Sequence, residues 1–487
     1  MIVAGKTVRA IAWLWVILSV PGPTALGQER GTLRLENETT LLGTIVDQDD
    51  HVLVRSSDGS EKRVAKYRIA RMEGGALPLW LEMAISGLLT ERDPGEVSRL
   101  REAILAKDGV TPELLREVLE KPDRRPPRQA GRTVEPITIR GTDKKTEYVL
   151  VVPEGYDPSK PWPLWISMHG TGGRGSHCAS FLESVTQRRG ILLACPTEHE
   201  EQHGKGWGYS DDERELTLSV LEDVKRLCHV DTNRVYLNGW SRGGHAAYDV
   251  ADHYPDKFAA INPVIGAPRA RYFGLLRNLE GIGVTILNGA KDDPLLVQAA
   301  RHGVDLLSKR LELDVVYDED PEQGHVLFLD KMPGVTDYLL HHTRDPDPDH
   351  LVIAGYDPKY AERAWLKIEA FDDDAYAPGK QVRIKGISDR WSDSRKLEAF
   401  QEAVYDGTAF ATGDRKDNFY SIKTEGITQL TIRLPDSINW DRSIIVKVNG
   451  RSKHRGKVEG ETAYLLDHLI RTRDRQQVYW NEITVDV

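Results

Sequence analysis

A serine between two glycines stands where an apolar segment of the sequence gives way to a helix-compatible one. The run 235–238 leads into Gly239-Trp240-Ser241-Arg242-Gly243, and the segment from His245 to His253 follows at once. A strand-to-helix turn this tight strains the backbone of its central residue, and flanking glycines avoid the side-chain clashes that would follow. The pattern predicts that the Ser241 hydroxyl is exposed at the carboxyl edge of a sheet, where a nucleophile for acyl transfer is needed.

A serine that attacks a carbonyl carbon must lose its hydroxyl proton, so it needs a histidine base and a carboxylate that orients the imidazole. Two later loops contain these groups. The predicted strand 284–288 runs into a loop with Asp292 and Asp293, and the loop after the next strand contains His325. Each loop follows a separate strand at the same predicted sheet edge. The sequence therefore predicts a catalytic set of Ser241, His325 and one of the two aspartates.

Backbone donors for the developing oxyanion are predicted in a glycine-rich loop. The apolar segment 164–168 opens into His169-Gly170-Thr171-Gly172-Gly173, whose amides are little covered by side chains. Preorganised N–H groups stabilise the negative charge that forms on a carbonyl oxygen under attack. We expect the amide of Thr171, or alternatively that of Gly170, to act together with the amide of Arg242.

These segments resemble the α/β-hydrolase superfamily, in particular the secreted esterases and predicted peptidases related to polyhydroxybutyrate depolymerases and feruloyl esterases. The resemblance rests on residues 231–244 and on Tyr254-Pro255-Asp256-Lys257-Phe258 after them, and it covers about residues 135–342. It implies an α/β-hydrolase fold, with a mostly parallel sheet and helices on both faces. It also implies that Ser241 is the nucleophile, Asp292 the acid and His325 the base, with Asp293 the less favoured acid.

Two tryptophans are expected at the substrate cleft. Trp240 adjoins the serine, and Trp207 lies in a second glycine-flanked segment, Gly206-Trp207-Gly208. Tryptophan supplies a large apolar face with one polar handle, so it suits both clefts and cores. Trp207 fits a buried core position as well as it fits the cleft.

A competing motif, His199-Glu200-Glu201-Gln202-His203, matches a zinc-protease pattern. On a helix, this spacing places two imidazoles on one face, ready for zinc. Pro196 and Gly204 flank the motif and disfavour a helix, and no third ligand stands out downstream. We therefore expect no metal and no other cofactor. A zinc metallopeptidase that uses His199 and His203, and a non-catalytic glycan- or surface-binding protein on a hydrolase scaffold, are the alternative functions.

Smaller domains are predicted on either side of the catalytic domain, which is assigned to residues 130–345. Residues 28–75 alternate apolar and polar side chains between turns, as a small antiparallel β module does, and residues 76–125 form a helical segment and linker. Beyond residue 350, strand-like runs at 382–385, 430–434 and 444–450 predict a β-rich, sandwich-like accessory domain over residues 351–487.

Charge and composition limit the function classes. The net charge of −10 disfavours a nucleic-acid partner, and the three cysteines cannot form a disulfide framework. Residues 1–27 read as a signal peptide, which predicts a secreted or periplasmic protein, and their apolar run is too short for a membrane span. The expected partner is an ester substrate, with polymeric and carbohydrate-linked esters among the candidates, and the oligomeric state is left open.

Overall fold

The computed structural model describes residues 29–487 apart from residues 36–38, 49, 75, 122, 124, 200–205, 383 and 385. The predicted signal peptide, residues 1–27, lies outside the described residues. Contacts divide the chain into two compact units, one ending at Met83 and the other running from Ala84 to Val487. No helix in the described ranges is both long enough and apolar enough to cross a membrane.

The first unit contains a five-stranded antiparallel sheet in the order β4-β3-β2-β1-β5. Its strands are β1 Glu29–Leu35, β2 Thr40–Asp47, β3 His51–Arg55, β4 Glu61–Ala65 and β5 Ile69–Gly74. Alternate residues of these strands, among them Leu33, Ile45 and Val52, are buried in a common core. The alternation arises because successive side chains of a strand point to opposite faces.

Helices follow the first sheet, as the sequence predicts: α1 Leu77–Thr90, α2 Pro94–Leu105 and α3 Pro112–Glu120. Asp93 and Thr111 cap the second and third helices, each accepting a hydrogen bond from a first-turn amide. In both helices a proline occupies the first position, where its missing N–H costs nothing.

The second unit is built on an eight-stranded sheet, called here the central sheet, in the order β6-β7-β9-β8-β10-β11-β12-β13. The strands are β6 Gly131–Thr138, β7 Lys145–Val152, β8 Trp162–Met168, β9 Leu192–Pro196, β10 Val230–Trp240, β11 Ala260–Val264, β12 Gly283–Gly289 and β13 Val315–Asp320. β6 and β7 are antiparallel to their neighbours, and the strands from β9 to β13 run parallel.

Helices cover both faces of the central sheet: α4 Gly175–Arg189, α5 Asp211–Leu227, α6 Arg242–His253, α7 Pro294–Asp305 and α8 Met332–Leu340. Side chains along β8 alternate between two cores. Leu164 and Ile166 join the core that contains α5 and α6, whereas Trp165 joins the core that contains α4 and α8. The prediction of an α/β-hydrolase fold with helices on both faces is confirmed.

Residues 350–487 form two further sheets that share one core. The strands are β14 His350–Gly355, β15 Glu362–Arg363, β16 Leu366–Phe371, β17 Ala409–Lys416, β18 Phe419–Glu425, β19 Ile427–Pro435, β20 Ile444–Val448, β21 Arg451–Gly456 and β22 Tyr479–Asp486, with helices α9 Asp393–Gly407 and α10 Thr462–Thr472. One sheet has the order β14-β17-β18-β20-β21 and the other β15-β16-β19-β22. Trp365, Tyr420 and Ile432 are buried in the shared core.

One predicted strand in this region is wrong. Val382 and Ile384 lie outside any strand, and the other two residues of the 382–385 run, Arg383 and Lys385, lie outside the described residues. The run is short, and Gly379 and Gly386, both with positive φ, bound it closely. Apolar alternation produces a strand only where a neighbouring strand pairs with it.

The central sheet and the C-terminal sheets belong to the same compact unit. The Asn278 side chain donates to the Ala354 carbonyl at 3.0 Å and accepts from the Ala354 amide at 2.6 Å. Tyr360 and Tyr405, both beyond residue 350, are buried in the core on the α5–α6 face of the central sheet. The boundaries at residues 130–345 and 351–487 stay predictions.

Candidate active site

Ser241 lies in the turn between β10 and α6 with a backbone conformation that is rare for a side-chain-bearing residue, φ 56° and ψ −118°. The turn is tight enough that only glycine fits on either side. A Cβ at Gly239 would lie 2.2 Å from the Gly243 carbonyl oxygen, and one at Gly243 would lie 2.2 Å from the Met168 carbonyl oxygen. The strained turn directs the hydroxyl away from the helix and out over the end of the sheet.

His325 bridges Ser241 and Asp292. Its Nε2 lies 2.9 Å from the Ser241 Oγ, and its Nδ1 lies 2.7 Å from the Asp292 Oδ2. The Asp292 side chain is 7% exposed and that of His325 is 50% exposed. An Nδ1–H that donates to the carboxylate leaves Nε2 free to accept the serine proton, which is the geometry that general-base activation requires.

The two neighbouring aspartates, Asp292 and Asp293, have different hydrogen-bond partners. Asp292 reaches His325, and its other oxygen accepts a hydrogen bond from the Asp293 amide at 2.7 Å. Asp293 caps α7 instead, because its Oδ1 accepts from the amides of Leu295 and Leu296 at 2.9 Å and 3.2 Å. The geometry therefore agrees with Asp292, the residue favoured from the resemblance.

A close approach of two loops makes this contact possible. A Cβ at Gly289, the last residue of β12, would lie 2.3 Å from the Gly324 carbonyl oxygen. The Lys291 amide also donates to the Gln323 carbonyl at 2.9 Å. The loops that contain Asp292 and His325 are thus tied together by their backbones, so the imidazole and the carboxylate are held before any substrate arrives.

A cavity of about 380 Å³ opens beside Ser241. Its apolar wall includes Phe181, Trp240, Ile265 and Leu327, with His177 at its edge. Phe181 meets Trp240 edge-on, with ring centroids 6.0 Å apart, and the Trp240 Nε1 donates to the Leu327 carbonyl at 2.8 Å. Trp240 therefore lines the cavity, and a backbone carbonyl satisfies its ring nitrogen. Its role in substrate binding stays a prediction.

The glycine-rich loop after β8 lies close to the serine. Gly170 and Thr171 both line the cavity, and a Cβ at Gly170 would lie 3.3 Å from the Ser241 Cβ. Arg242 is the first residue of α6, so its amide has no acceptor within the helix. The three predicted oxyanion residues are thus gathered around Ser241.

Trp207 differs from the sequence expectation of a cleft residue. Its side chain is wholly buried in the core and is not part of the cavity wall. The Trp207 Nε1 donates to the His169 carbonyl at 2.9 Å, and the Trp207 carbonyl accepts from the Arg242 side chain at 3.1 Å. Trp207 supports the glycine-rich loop from beneath because its bulk fills the core and its N–H finds a backbone partner there.

Sequence reasoning missed a buried ion pair beneath the glycine-rich loop. His169, 2% exposed, lies with its Nε2 2.5 Å from the Oε2 of Glu198, which is fully buried. The His169 Nδ1 lies 2.8 Å from the Gly170 carbonyl. Burial alone would lower the pKa of His169, but the contacts with Glu198 and with that carbonyl outweigh it and raise the pKa. Both ring nitrogens lie close to oxygen atoms, and the Glu198 carboxylate favours the imidazolium form electrostatically.

The zinc motif falls largely outside the described residues, since residues 200–205, including His203, are not described. In the part of the chain that the structure does describe, one group has metal-ligand spacing: Asp249, Asp252 and His253. Arg214 contacts both Asp249 oxygens, at 3.0 Å and 2.8 Å, and the Tyr356 hydroxyl lies 2.8 Å from the His253 Nε2. A buried guanidinium repels a cation, so this group is an ion-pair network of the core.

Part of this chain is similar in sequence to known esterases. The chain is 29% identical over 144 residues to feruloyl esterase C of Emericella nidulans, covering 28% of this chain and 49% of the esterase. It is 25% identical over 142 residues to the bifunctional acetylxylan esterase/xylanase XynS20E of Neocallimastix patriciarum, covering 28% of this chain and 20% of that protein. Part of this chain is related to curated esterases. The resemblance inferred from the sequence is confirmed.

The extent of the likeness is limited. The chain spans about half the length of feruloyl esterase C, and no family model matches it. Among solved structures, the poly(3-hydroxybutyrate) depolymerase LpqC of Bordetella parapertussis is similar, with 18% identity and a TM-score of 0.36, covering 45% of this chain and 92% of that one.

Proposed function

We propose that this chain is an exported serine hydrolase that cleaves carboxylic esters through an acyl-enzyme. The observation that carries the proposal is the chain of contacts from Ser241 through His325 to Asp292, at 2.9 Å and 2.7 Å, on a strained turn beside a cavity. This combination of a nucleophile, a base and an orienting carboxylate serves acyl transfer in unrelated folds. The serine hydrolase role of these residues rests on that geometry.

The chemistry proceeds in two acyl transfers. His325 Nε2 takes the proton from Ser241 Oγ as the oxygen attacks the ester carbonyl carbon, and it then returns that proton to the departing alcohol oxygen. Water next attacks the acyl-serine, again giving its proton to His325, and the acid leaves as Ser241 regains its hydroxyl hydrogen. The amides of Thr171 or Gly170, with that of Arg242, donate to the oxyanion in both steps.

The ester class is supported by the curated relatives, which are esterases by name. Export is supported by the pattern of residues 1–27, with basic residues, an apolar run and a small-residue cleavage site. The apolar cavity wall formed by Phe181, Trp240 and Ile265 favours an apolar or aromatic group next to the scissile bond. We extend the proposal to esters whose alcohol is polymeric or carbohydrate-linked. For such substrates the C-terminal sheets would bind the polymer and keep the ester close to the site.

Labelling with a fluorophosphonate tests the proposal directly. We expect the probe to modify the full-length protein at Ser241, which peptide mapping identifies, because only an activated serine reacts at a useful rate. Prior heat denaturation should abolish the labelling. Modification at a different serine, or none on folded protein, would overturn the assignment of Ser241.

A chelator separates this proposal from the zinc alternative. We expect hydrolysis of a small soluble ester to be unchanged after treatment with 1,10-phenanthroline and to be unchanged in His199→Ala, because the serine machinery uses no metal. Initial rates with and without chelator provide the measurement. Chelator-sensitive turnover that zinc restores would favour the metallopeptidase and contradict the serine hydrolase.

The buried pair of His169 and Glu198 should position the glycine-rich loop. We expect Glu198→Gln to lower kcat for a soluble ester by about tenfold at pH 7, with a smaller change in KM, because displaced oxyanion donors stabilise the transition state less well. Folding raises the pKa of His169, so protonation of this histidine stabilises the folded protein. This stabilisation is fully present below the pKa of the unfolded state and is lost as the pH rises through the pKa of the folded state. The melting temperature of the variant should therefore fall mainly at acidic to neutral pH.

A matched control is Glu183→Gln, which neutralises a partly exposed glutamate on α4 whose partner is Arg132. Steady-state kinetics and thermal unfolding between pH 5 and 9 provide the readouts for both variants. Equal kcat values for Glu198→Gln and Glu183→Gln would show that the buried pair does not position the loop.

A further inference from the structure

A second cavity, of about 540 Å³, lies at the opposite end of β10 from Ser241. Val230 and Asn233, near the start of that strand, form part of its wall, together with the end of α3 and the segment between α10 and β22. All of its lining residues belong to the compact unit that starts at Ala84. The cavity is therefore independent of the proposed catalytic site.

The charges around this cavity are unbalanced, although the whole protein is acidic. Two of the lining residues are acidic, Glu120 and Asp123. Six are cationic: Arg116, Lys121, Arg125, Lys225, Arg473 and Arg475. Arg116 pairs with Asp436 at 2.6 Å, and Lys225 pairs with Glu222 at 3.0 Å.

Arg125 is the least satisfied of these cations. Its side chain is 5% exposed, and its Nη2 pairs with Asp123 at 2.7 Å, a carboxylate that also lies 3.2 Å from the Arg475 Nη1. Among the described residues, neither Nε nor Nη1 of Arg125 has a hydrogen-bond partner. Buried donors without partners are costly and rare, so a guanidinium with two of them points to a ligand.

Arg473 adds a second buried positive charge. Its guanidinium donates to the carbonyls of Leu88, Leu89 and Glu91 at 2.8–3.2 Å, and it forms no ion pair within the described part of the chain. Burial, together with the charges of Arg226 and Arg125, lowers its pKa to about 10. At neutral pH Arg473 still carries its charge, and Arg125 shares the Asp123 carboxylate with Arg475.

We propose that this cavity binds an oxyanion of the phosphate or sulfate type. Tetrahedral oxygens accept several hydrogen bonds at once, and guanidinium groups bind such anions through charge-assisted pairs. A volume of about 540 Å³ exceeds what one inorganic anion fills, so the group can also be carried as an ester on a sugar. The ligand therefore carries a phosphate or sulfate group, and experiment decides whether that group binds as a free anion or as a sugar ester.

Thermal unfolding of the full-length protein tests the proposal. Sodium phosphate or sulfate is titrated against sodium chloride at constant ionic strength. We expect a rise in melting temperature of about 2–4 °C with either oxyanion, because a ligand that binds only the folded state stabilises it. Equal melting temperatures in phosphate, sulfate and chloride would overturn the proposal.

Variants locate the effect. Arg125→Leu should abolish the oxyanion-dependent rise. It should also lower the melting temperature in chloride, because Asp123 is buried and keeps only Arg475 of the two arginines that it contacts, so the rise is measured from the variant's own value in chloride. Arg473→Gln, which retains donors for the carbonyls, should reduce oxyanion affinity by about tenfold in calorimetry. The matched control Arg99→Leu removes one exposed charge, paired with Glu96 on α2, and should leave the rise intact. An undiminished rise in both Arg125→Leu and Arg473→Gln would contradict the site.

The source of the anion is distinguished by calorimetry with inorganic sulfate, galactose 6-sulfate and galactose. Tighter binding of galactose 6-sulfate than of sulfate supports a saccharide ester, and equal or weaker binding supports the free anion. Galactose alone should not bind. Binding of galactose as tight as that of its sulfate would overturn a site defined by the anion. Because Ser241 lies at the other end of β10, Ser241→Ala should bind each probe as the wild type does.

Discussion

Replacing Ser241 by alanine should abolish ester turnover while leaving the fold intact. We expect kcat/KM to fall by roughly three or more orders of magnitude, the usual scale when the nucleophile of a catalytic triad is removed. The hydroxyl faces His325 and the cavity, so its loss removes little packing. The strained backbone at φ 56° is also equally available to alanine and serine, and thus the melting temperature should change by about 1 °C or less.

The matched control is Ser180→Ala on the exposed surface of α4, where the hydroxyl donates to the Ser176 carbonyl. It should retain wild-type rates. Kinetics on a soluble ester and fluorophosphonate labelling provide the readouts, with circular dichroism to confirm the fold. Activity of Ser241→Ala within about tenfold of wild type would exclude Ser241 as the nucleophile, given the scale expected for a triad.

The arrangement of the site could be predicted because it follows from strand direction. Ser241, Asp292 and His325 follow β10, β12 and β13, which are parallel, so their carboxyl ends meet at one sheet edge. The apolar runs and glycine turns that define those strands are visible in the sequence. No such local signal distinguishes Asp292 from Asp293; the distinction depends on which side chain caps α7.

Glu198 was missed although the same rule applies to it. It follows β9, and His169 follows β8, a parallel neighbour. The available signal was a carboxylate two residues after a fully apolar strand, together with a histidine directly after a neighbouring apolar strand. It was obscured by the zinc-like motif that begins at His199. The sequence leaves Trp207 open between cleft and core, because composition alone does not reveal which side of a loop faces the core; the structure places it in the core.

The acid should be separable from its neighbour by a single pair of variants. We expect Asp292→Asn to lower kcat by about 10³–10⁴-fold, because the asparagine amide can donate to His325 Nδ1 and leave the proton on Nε2. An imidazole in that tautomer cannot accept the serine proton. The protein should remain folded, since the loop is also held by backbone contacts between Lys291 and Gln323.

Asp293→Asn is the matched control because it makes the same chemical change one residue away. Asparagine caps helices as well as aspartate does, so the hydrogen bonds to the amides of Leu295 and Leu296 should persist and kcat should stay within about threefold of wild type. Steady-state kinetics of both variants across pH 5–9 provide the measurement. A larger loss in Asp293→Asn than in Asp292→Asn would mean that Asp293 orients His325 during turnover. The 2.7 Å contact of Asp292 with His325 would then belong to the resting protein alone.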